Sequence, residues 1–135
     1  MDEIKVIVNP YNFNNKELPE SFVYKILRDK DIQGNIYSMK NYKLAFIHSS
    51  YTKKAPSEIG ENVVIANKPE GALELMDGDY ERLEFLGDAV VSIVVAKYLF
   101  ERFPNEDEGF LTKMRTKLVN GEMLGYLASK LGFGE

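Results

Sequence analysis

The sequence predicts an all-α domain preceded by a short extended N-terminal arm. Its 135 residues fit one domain with a single hydrophobic core. With 44% hydrophobic and 28% charged residues, the composition is that of a globular protein rather than a disordered one. Apolar residues recur at helical spacing through most of the chain, whereas strand-like alternation occurs only near the N-terminus. We therefore expect about five helices and little sheet.

Charge and cysteine content exclude several classes of function. Lys and Arg number 17 against 21 Asp and Glu, so the net charge of −4 would not attract nucleic acid, and an RNA role requires a local site. The absence of cysteine excludes disulfides, thiolate metal sites and thiol nucleophiles. The sequence has neither a long uncharged span nor a basic leader followed by an apolar run. We expect no membrane helix and no secretory signal, and hence a cytoplasmic protein.

The first elements of the chain are short. Residues 3–8 alternate between apolar and polar side chains as a strand would, but a lone strand needs a partner, so we assign residues 1–20 to an N-terminal arm. After Pro19, apolar residues at i, i+1, i+4 and i+5 predict a short amphipathic helix that stops at Gly34.

A second helix and a long loop follow. Asn41 is positioned to cap a helix whose apolar members are residues 44–47. From residue 52 to 78 the chain carries two prolines and three glycines, and no period holds. We interpret residues 52–78 as a long loop, a kind of segment that is usually functional, inserted or mobile in compact domains. Residues 21–135 form one helical domain that carries this loop.

Three helices are predicted in the second half. Asp79 caps the first, which runs to the residue before Pro104. A second fits residues 107–119, and a third begins after the cap Asn120 and stops at Gly132. The first of these helices is apolar nearly all the way round, so we expect it to be a buried central helix.

Three carboxylates share one stripe of this central helix. Glu81, Glu84 and Asp88 fall within a sector of roughly 60° at 3.6 residues per turn. Like charges at this spacing repel, so the arrangement is costly unless a cation or a partner offsets it. Mg²⁺ takes oxygen ligands, often one or two carboxylates with water and substrate phosphate, and such a site can bind a phosphodiester despite the negative net charge. The alternative is a solvated acidic edge.

The segment ERLEFLGDA resembles the signature helix of the ribonuclease III family. The resemblance extends upstream to KLAFIHSSY and downstream to EDEGFLTKMRTKLVN, in the order found in the family, and covers about residues 41–133. It implies the helical fold of the ribonuclease III endonuclease domain, in proteins that form homodimers. It also implies cleavage of double-stranded RNA with Mg²⁺, or with Mn²⁺, to 5′-phosphate and 3′-hydroxyl ends.

The resemblance also suggests roles for particular residues. By position, Glu84 and Asp88 match the family's metal-binding acids, and Glu81 and Glu108 match acidic positions that line the same catalytic cleft. Phe85 matches the aromatic residue that inserts into the partner subunit, the alternative being an ordinary core aromatic. The implied mechanism is metal-assisted hydrolysis, which needs no side-chain nucleophile and suits a chain with one histidine and no cysteine.

In one respect the sequence departs from the family pattern. The family completes its metal site with an Asp and a Glu on a later helix, and the spacing places that helix beyond Glu135. We therefore expect a fragment of a longer catalytic domain, which by itself binds Mg²⁺ weakly and cuts poorly. The alternative is a ribonuclease III-like module that binds RNA or supports assembly without cleavage. A di-iron or di-manganese bundle is not favoured because the sequence has no Glu-x-x-His motif.

Two further features have simpler structural explanations. His48 is far in sequence from the acids, which favours a core or capping histidine over a catalyst. Lys113 and Lys117 share a helix face. We expect this face to be solvated, and the alternative is that the two lysines contact RNA phosphates.

Overall fold

The computed structural model describes residues 5–33, 36 and 38–133. Within these residues lie α1 (Glu20–Asp29), α2 (Met39–Leu44), α3 (Glu81–Arg102), α4 (Glu108–Leu118), α5 (Gly121–Lys130), β1 (Val6–Val8) and β2 (Val63–Ile65). The predominantly helical class predicted from the sequence is confirmed. The chain divides into two compact units, Met1–Leu83 and Glu84–Glu135. None of the helices in the described ranges combines the length and the apolar character needed to cross a bilayer.

The alternating residues near the N-terminus form a strand that has a partner. β1 pairs in parallel with β2, and Val6 lies opposite Val63. Glu3 and Ile4, the first residues of the alternation, lie outside the described residues. β2 lies inside the segment that was expected to be a loop. Periodicity does not reveal it because a run of three residues is too short to show a period.

The C-terminal end of the segment 52–78 also bonds to an earlier part of the first unit. Thr52 and Met76 form an isolated parallel bridge, and the Met76 amide donates to the carbonyl oxygen of Tyr51 at 3.0 Å. The buried Tyr51 hydroxyl donates to the carbonyl oxygen of Leu73 at 2.9 Å. The segment 52–78 is therefore largely irregular, as expected, but it also contains β2 and is hydrogen-bonded to the rest of the first unit. These bonds join residues far apart in sequence and leave no local pattern.

The predicted amphipathic helix after Pro19 is confirmed as α1, which buries Val23. It ends at Asp29, and the left-handed residue that follows is Asp31, with φ 51°. Such a conformation is uncommon outside glycine but is tolerated by Asp. The stop predicted at Gly34 lies outside the described residues.

The start of α2 differs from the prediction. The N-cap position is occupied by Ser38, whose side chain makes no capping hydrogen bond, and the helix begins at Met39, so Asn41 lies inside it. The helix ends at Leu44, and the remaining apolar residues of the predicted helix follow as turns. Asn favours helix caps, but the point at which the backbone turns decides which residue serves as the cap.

The second unit follows the sequence prediction closely. Asp107 Oδ1 accepts a hydrogen bond from the Phe110 amide, and Asn120 Oδ1 accepts one from the Met123 amide, both at 2.8 Å. Each bond satisfies an amide that the helix itself leaves unpaired. Gly132, with φ 78°, ends α5 in the left-handed conformation that glycine adopts without strain. The predicted cap of α5 and the glycine stop are confirmed, and Asp107, predicted only as the start of the preceding helix, is the cap of α4.

The long helix α3 is not the buried central helix that its composition predicts. Leu99, with 1% exposure, is its one buried residue. The exposed large hydrophobic side chains of α3 are Phe85, Leu86, Val90, Ile93, Val94, Tyr98 and Phe100. Apolar side chains make burial favourable, but burial itself depends on the elements that pack against the helix. In the described residues, one stripe of α3 is covered and the rest faces solvent.

Candidate functional site

The acids at the start of α3 lie on the stripe that is buried further along the same helix. At about 100° per residue, Glu81, Glu84 and Asp88 fall in one sector of about 60°, and Leu99 falls in that sector too. The N-terminal half of this stripe is acidic and exposed, whereas Leu99 in the C-terminal half is 1% exposed. One helix face therefore changes from packing surface to an accessible negative surface, which we call the acid stripe (Glu81, Glu84 and Asp88).

The side chains of the acid stripe are not neutralised by basic residues. Among the residues that the structure describes, the carboxylates of Glu84 and Asp88 take part in no ion pair and no hydrogen bond. Glu101 on the same helix, by contrast, pairs with Lys97 at 2.7 Å. At the helix start, Asp79 Oδ1 accepts a hydrogen bond from the Glu81 amide at 3.0 Å. The acid-stripe carboxylates are therefore available to a cation from solution.

The acid stripe by itself falls short of a complete metal site. No three His, Cys, Asp or Glu side chains form a group able to hold a metal ion in the described ranges. The acid stripe supplies carboxylates from a single helix, and a single helix cannot surround an ion. Any cation held there would take its other oxygen ligands from water, substrate or further residues.

Glu108, the fourth predicted acid, lies on α4 and not on α3. It is the first residue of α4, where its carboxylate accepts a hydrogen bond from the Thr112 hydroxyl at 2.8 Å. It lines a largely apolar groove of about 670 Å³ together with Leu99 and Arg115, and no member of the acid stripe lines that groove. Glu108 therefore differs from the acid stripe both in its surroundings and in already having a hydrogen-bond partner.

Phe85 stands beside the acid stripe and is 84% exposed. Within the described residues Phe85 does not pack into a core. An aromatic ring this exposed, on a helix with six other exposed large hydrophobic residues, is typical of an interaction surface.

Lys113 and Lys117 lie one turn apart on α4, and both are exposed. Neither ammonium pairs with a carboxylate anywhere in the described part of the chain. This agrees with the solvated face expected from the sequence and leaves both charges free for an anionic partner.

His48 acts as a cap. Its Nδ1 accepts a hydrogen bond from the Ser50 amide at 3.1 Å, at the start of a short 3₁₀ turn, Ser49–Tyr51. The side chain is exposed, so of the two structural roles expected for His48, capping is confirmed and core packing is wrong.

Comparison with known proteins identifies the family. The family model for the ribonuclease III domain matches residues 81–135. Over these residues the chain belongs to the ribonuclease III family. The ribonuclease III segment comprises α3, α4 and α5, and it contains every residue predicted above as catalytic, metal-binding, interfacial or RNA-binding.

Individual relatives agree with this assignment. Ribonuclease 3 of Mycoplasmoides pneumoniae is 41% identical over 93 residues, which are 69% of this chain and 27% of the relative. Ribonuclease 3 of Legionella pneumophila is 51% identical over 57 residues, which are 42% of this chain and 25% of the relative. Ribonuclease 3 of Anaplasma marginale is 53% identical over 57 residues, with the same shares. The chain thus spans about a quarter of the length of these relatives. No solved structure matches it significantly.

One surface was not anticipated from the sequence. In the first unit, a cavity of about 330 Å³ is lined by Lys16, His48 and Tyr51, among other residues. Its lining residues come from separate stretches of the chain, so no local motif marks it.

Proposed function

We propose that the protein is an endoribonuclease that cleaves double-stranded RNA by Mg²⁺-dependent hydrolysis. The observation that carries this proposal is the pair of exposed, unpaired carboxylates, Glu84 and Asp88, one turn apart on the helix that begins the ribonuclease III segment. The alternative of a non-cleaving RNA-binding or assembly module is not favoured, because the similar proteins carry the name Ribonuclease 3.

The donor set fits a magnesium ion in part. Mg²⁺ sites in proteins commonly use one or two carboxylates and leave the other positions to water and substrate phosphate oxygens. Glu84 and Asp88 would be those two carboxylates, and Glu81 adds negative charge on the same stripe. When bound, the ion supplies polarisation of the phosphoryl oxygen and a bound water of lowered pKa.

The chain's own residues contribute binding and orientation. The helix holds Glu84 and Asp88 at a fixed i, i+4 spacing, and their exposure leaves room for a phosphodiester to approach. Lys113 and Lys117, free of carboxylate partners in the described residues, would contact phosphates elsewhere along the duplex. Such contacts set the position of the RNA backbone without reading its sequence.

We also propose that the protein forms a homodimer through the surface that contains Phe85. Its 84% exposure means that a partner chain would remove most of the ring from water. Complete burial of a phenylalanine side chain contributes about 1.5–3 kcal/mol, so this residue would be a substantial part of the interface energy.

The test is cleavage of an end-labelled RNA duplex by the protein at its natural full length, in the presence of Mg²⁺. Glu84→Gln and Asp88→Asn each remove one charge and preserve side-chain size. We expect each variant to cleave at least about 100-fold more slowly, since loss of a metal ligand removes several kcal/mol of transition-state stabilisation. Circular dichroism should show an unchanged helix content because both side chains are exposed.

Glu101→Gln is the matched control. It also removes one exposed carboxylate from α3, but from a residue that pairs with Lys97 instead of belonging to the acid stripe. We expect its cleavage rate to equal that of the wild type. Unchanged rates in both acid-stripe variants would contradict the proposed site. Binding of duplex RNA by the wild type with no Mg²⁺-dependent cleavage would favour the non-cleaving module instead.

A further inference from the structure

The cavity of about 330 Å³ in the first unit has an uneven distribution of charge. Its polar lining residues are Asn12, Asn15, Lys16, His48, Ser50 and Tyr51. Among the described residues no Asp or Glu side chain lines it, although acids outnumber bases in the chain as a whole. We infer that this cavity binds a phosphate group. This site is separate from the acid stripe and goes beyond the proposed cleavage activity.

His48 contributes a neutral donor whose tautomer is fixed by its neighbour. Nδ1 accepts a hydrogen bond from the Ser50 amide at 3.1 Å, so Nδ1 carries no proton. The Ser50 hydroxyl lies 2.9 Å from the same nitrogen and donates to it. The proton of the neutral imidazole is therefore on Nε2, which remains available to donate to a ligand.

The stretch from Asn12 to Lys16 contributes the other donors. Asn12 Oδ1 accepts a hydrogen bond from the Asn14 amide at 2.9 Å, which assigns the oxygen and leaves the side-chain NH₂ group as a donor. The Asn15 amide donates to the Asn12 carbonyl oxygen at 3.2 Å, so this stretch is folded back as a turn. The side chain of Asn15 has no hydrogen-bond partner in the described ranges.

Lys16 is the one positive side chain among the described residues that line the cavity. Three other lysines of the first unit, Lys43, Lys53 and Lys68, form ion pairs with carboxylates at 3.1, 2.6 and 2.6 Å. Lys16 forms none with any residue that the structure describes. Within the described residues its charge is therefore uncompensated, beside a cavity whose other lining residues carry three neutral donor groups.

This donor set suits a tetrahedral oxyanion. Lysine, asparagine and histidine side chains are among the groups that bind phosphate oxygens, and donors from separate segments can approach several oxygens of one phosphate. The volume of about 330 Å³ has room for a phosphate group and part of the molecule that carries it. The hydroxyl of Tyr51 already donates to the carbonyl oxygen of Leu73, so its hydrogen is not available to a ligand.

The experiment is an NMR titration of the protein with inorganic phosphate at fixed neutral pH. His48 is the sole histidine, so its ring signals need no assignment by mutation. Sodium chloride at matched ionic strength is the reference. We expect a saturable shift of the His48 ring signals with phosphate that chloride does not produce. A shift that chloride reproduces, or no saturable shift with phosphate, overturns the inference.

Lys16→Gln removes the charge and retains most of the side-chain stem. We expect it to weaken phosphate binding by about 10-fold or more, the usual effect of losing a charged hydrogen-bond donor. Lys25→Gln is the matched control, because Lys25 is an exposed lysine of the same unit that does not line the cavity. Equal weakening by both variants would show general electrostatic attraction and overturn the inference.

A second arm identifies the source of the phosphate. A short RNA duplex that shifts the same His48 signals, with inorganic phosphate competing, assigns the site to the RNA backbone. Phosphate binding without an effect of the duplex assigns it to a small free phosphate ligand. Both results support the site, and neither depends on whether Glu84 and Asp88 catalyse cleavage.

Discussion

Replacement of Phe85 by alanine separates folding from association. The ring is 84% exposed, so its loss should change the free energy of unfolding of the chain by no more than about 0.5 kcal/mol. If the ring is inserted into a second subunit, the same substitution removes favourable burial from the interface. The two effects are measurable in the same preparation.

The effect on association can be worked from the exposure. Complete burial of a phenylalanine is worth about 1.5–3 kcal/mol, and 84% of that is roughly 1.3–2.5 kcal/mol for each subunit. A two-fold interface contains two copies of each residue, so the dimer would lose roughly 2.5–5 kcal/mol. The dissociation constant of the dimer should therefore rise by about two to four orders of magnitude.

Sedimentation equilibrium over a range of concentrations measures this constant, and urea unfolding measures the stability. Val94→Ala is the control, because Val94 is 61% exposed on the opposite side of α3 from Phe85. A dimer of unchanged affinity in Phe85→Ala, or an equal loss in Val94→Ala, would refute the placement of Phe85 at the interface. A large loss of stability in Phe85→Ala would refute the reasoning from exposure.

Three other expectations concern stability and ionisation. Leu99→Ala should lower the free energy of unfolding by about 2–5 kcal/mol, because Leu99 is 1% exposed. Urea unfolding measures this change, and a loss below about 1 kcal/mol would show that Leu99 does not lie in a packed core. Asn120→Ala should lower the free energy of unfolding by about 1 kcal/mol, because the hydrogen bond from the Met123 amide is lost. Asn120→Asp keeps the acceptor and should leave the free energy of unfolding nearly unchanged in the same assay. The hydrogen bond from Lys53 lowers the pKa of Asp77 from its usual 3.8. The pair therefore stabilises the fold above pH 3.8, and this stabilisation is lost as the pH falls through the lowered pKa. In an NMR titration of Lys53→Gln the pKa of Asp77 should return upward, and an unchanged pKa would contradict this prediction.

The second unit shows how far local chemistry reaches. Asp107, Asn120 and Gly132 each act on amides or carbonyls within a few residues, so their effects are visible in the sequence and the bounds of α4 and α5 follow. The acid stripe is equally local, because helical periodicity alone places Glu84 and Asp88 on one face. These features hold whatever packs around the helices.

The first unit shows where local patterns are insufficient. β1 required a partner that lies more than 50 residues later, and three residues of β2 carry no recognisable period. The cavity that contains Lys16 and His48 likewise depends on segments that are distant in sequence. The exposure of most of α3 also departed from expectation, because apolar residues indicate that burial is favourable without indicating what will cover them.

The positions of the helices, the termini of α4 and α5 and the alignment of the acids arise from interactions over one or two turns. These features were readable from the order of residues. The pairing of β1 with β2, the solvent exposure of most of α3 and the gathering of donors around the first-unit cavity arise from contacts across tens of residues. Such contacts depend on how the whole chain packs, and packing energy is a property of neighbours in space, which residue order alone does not specify.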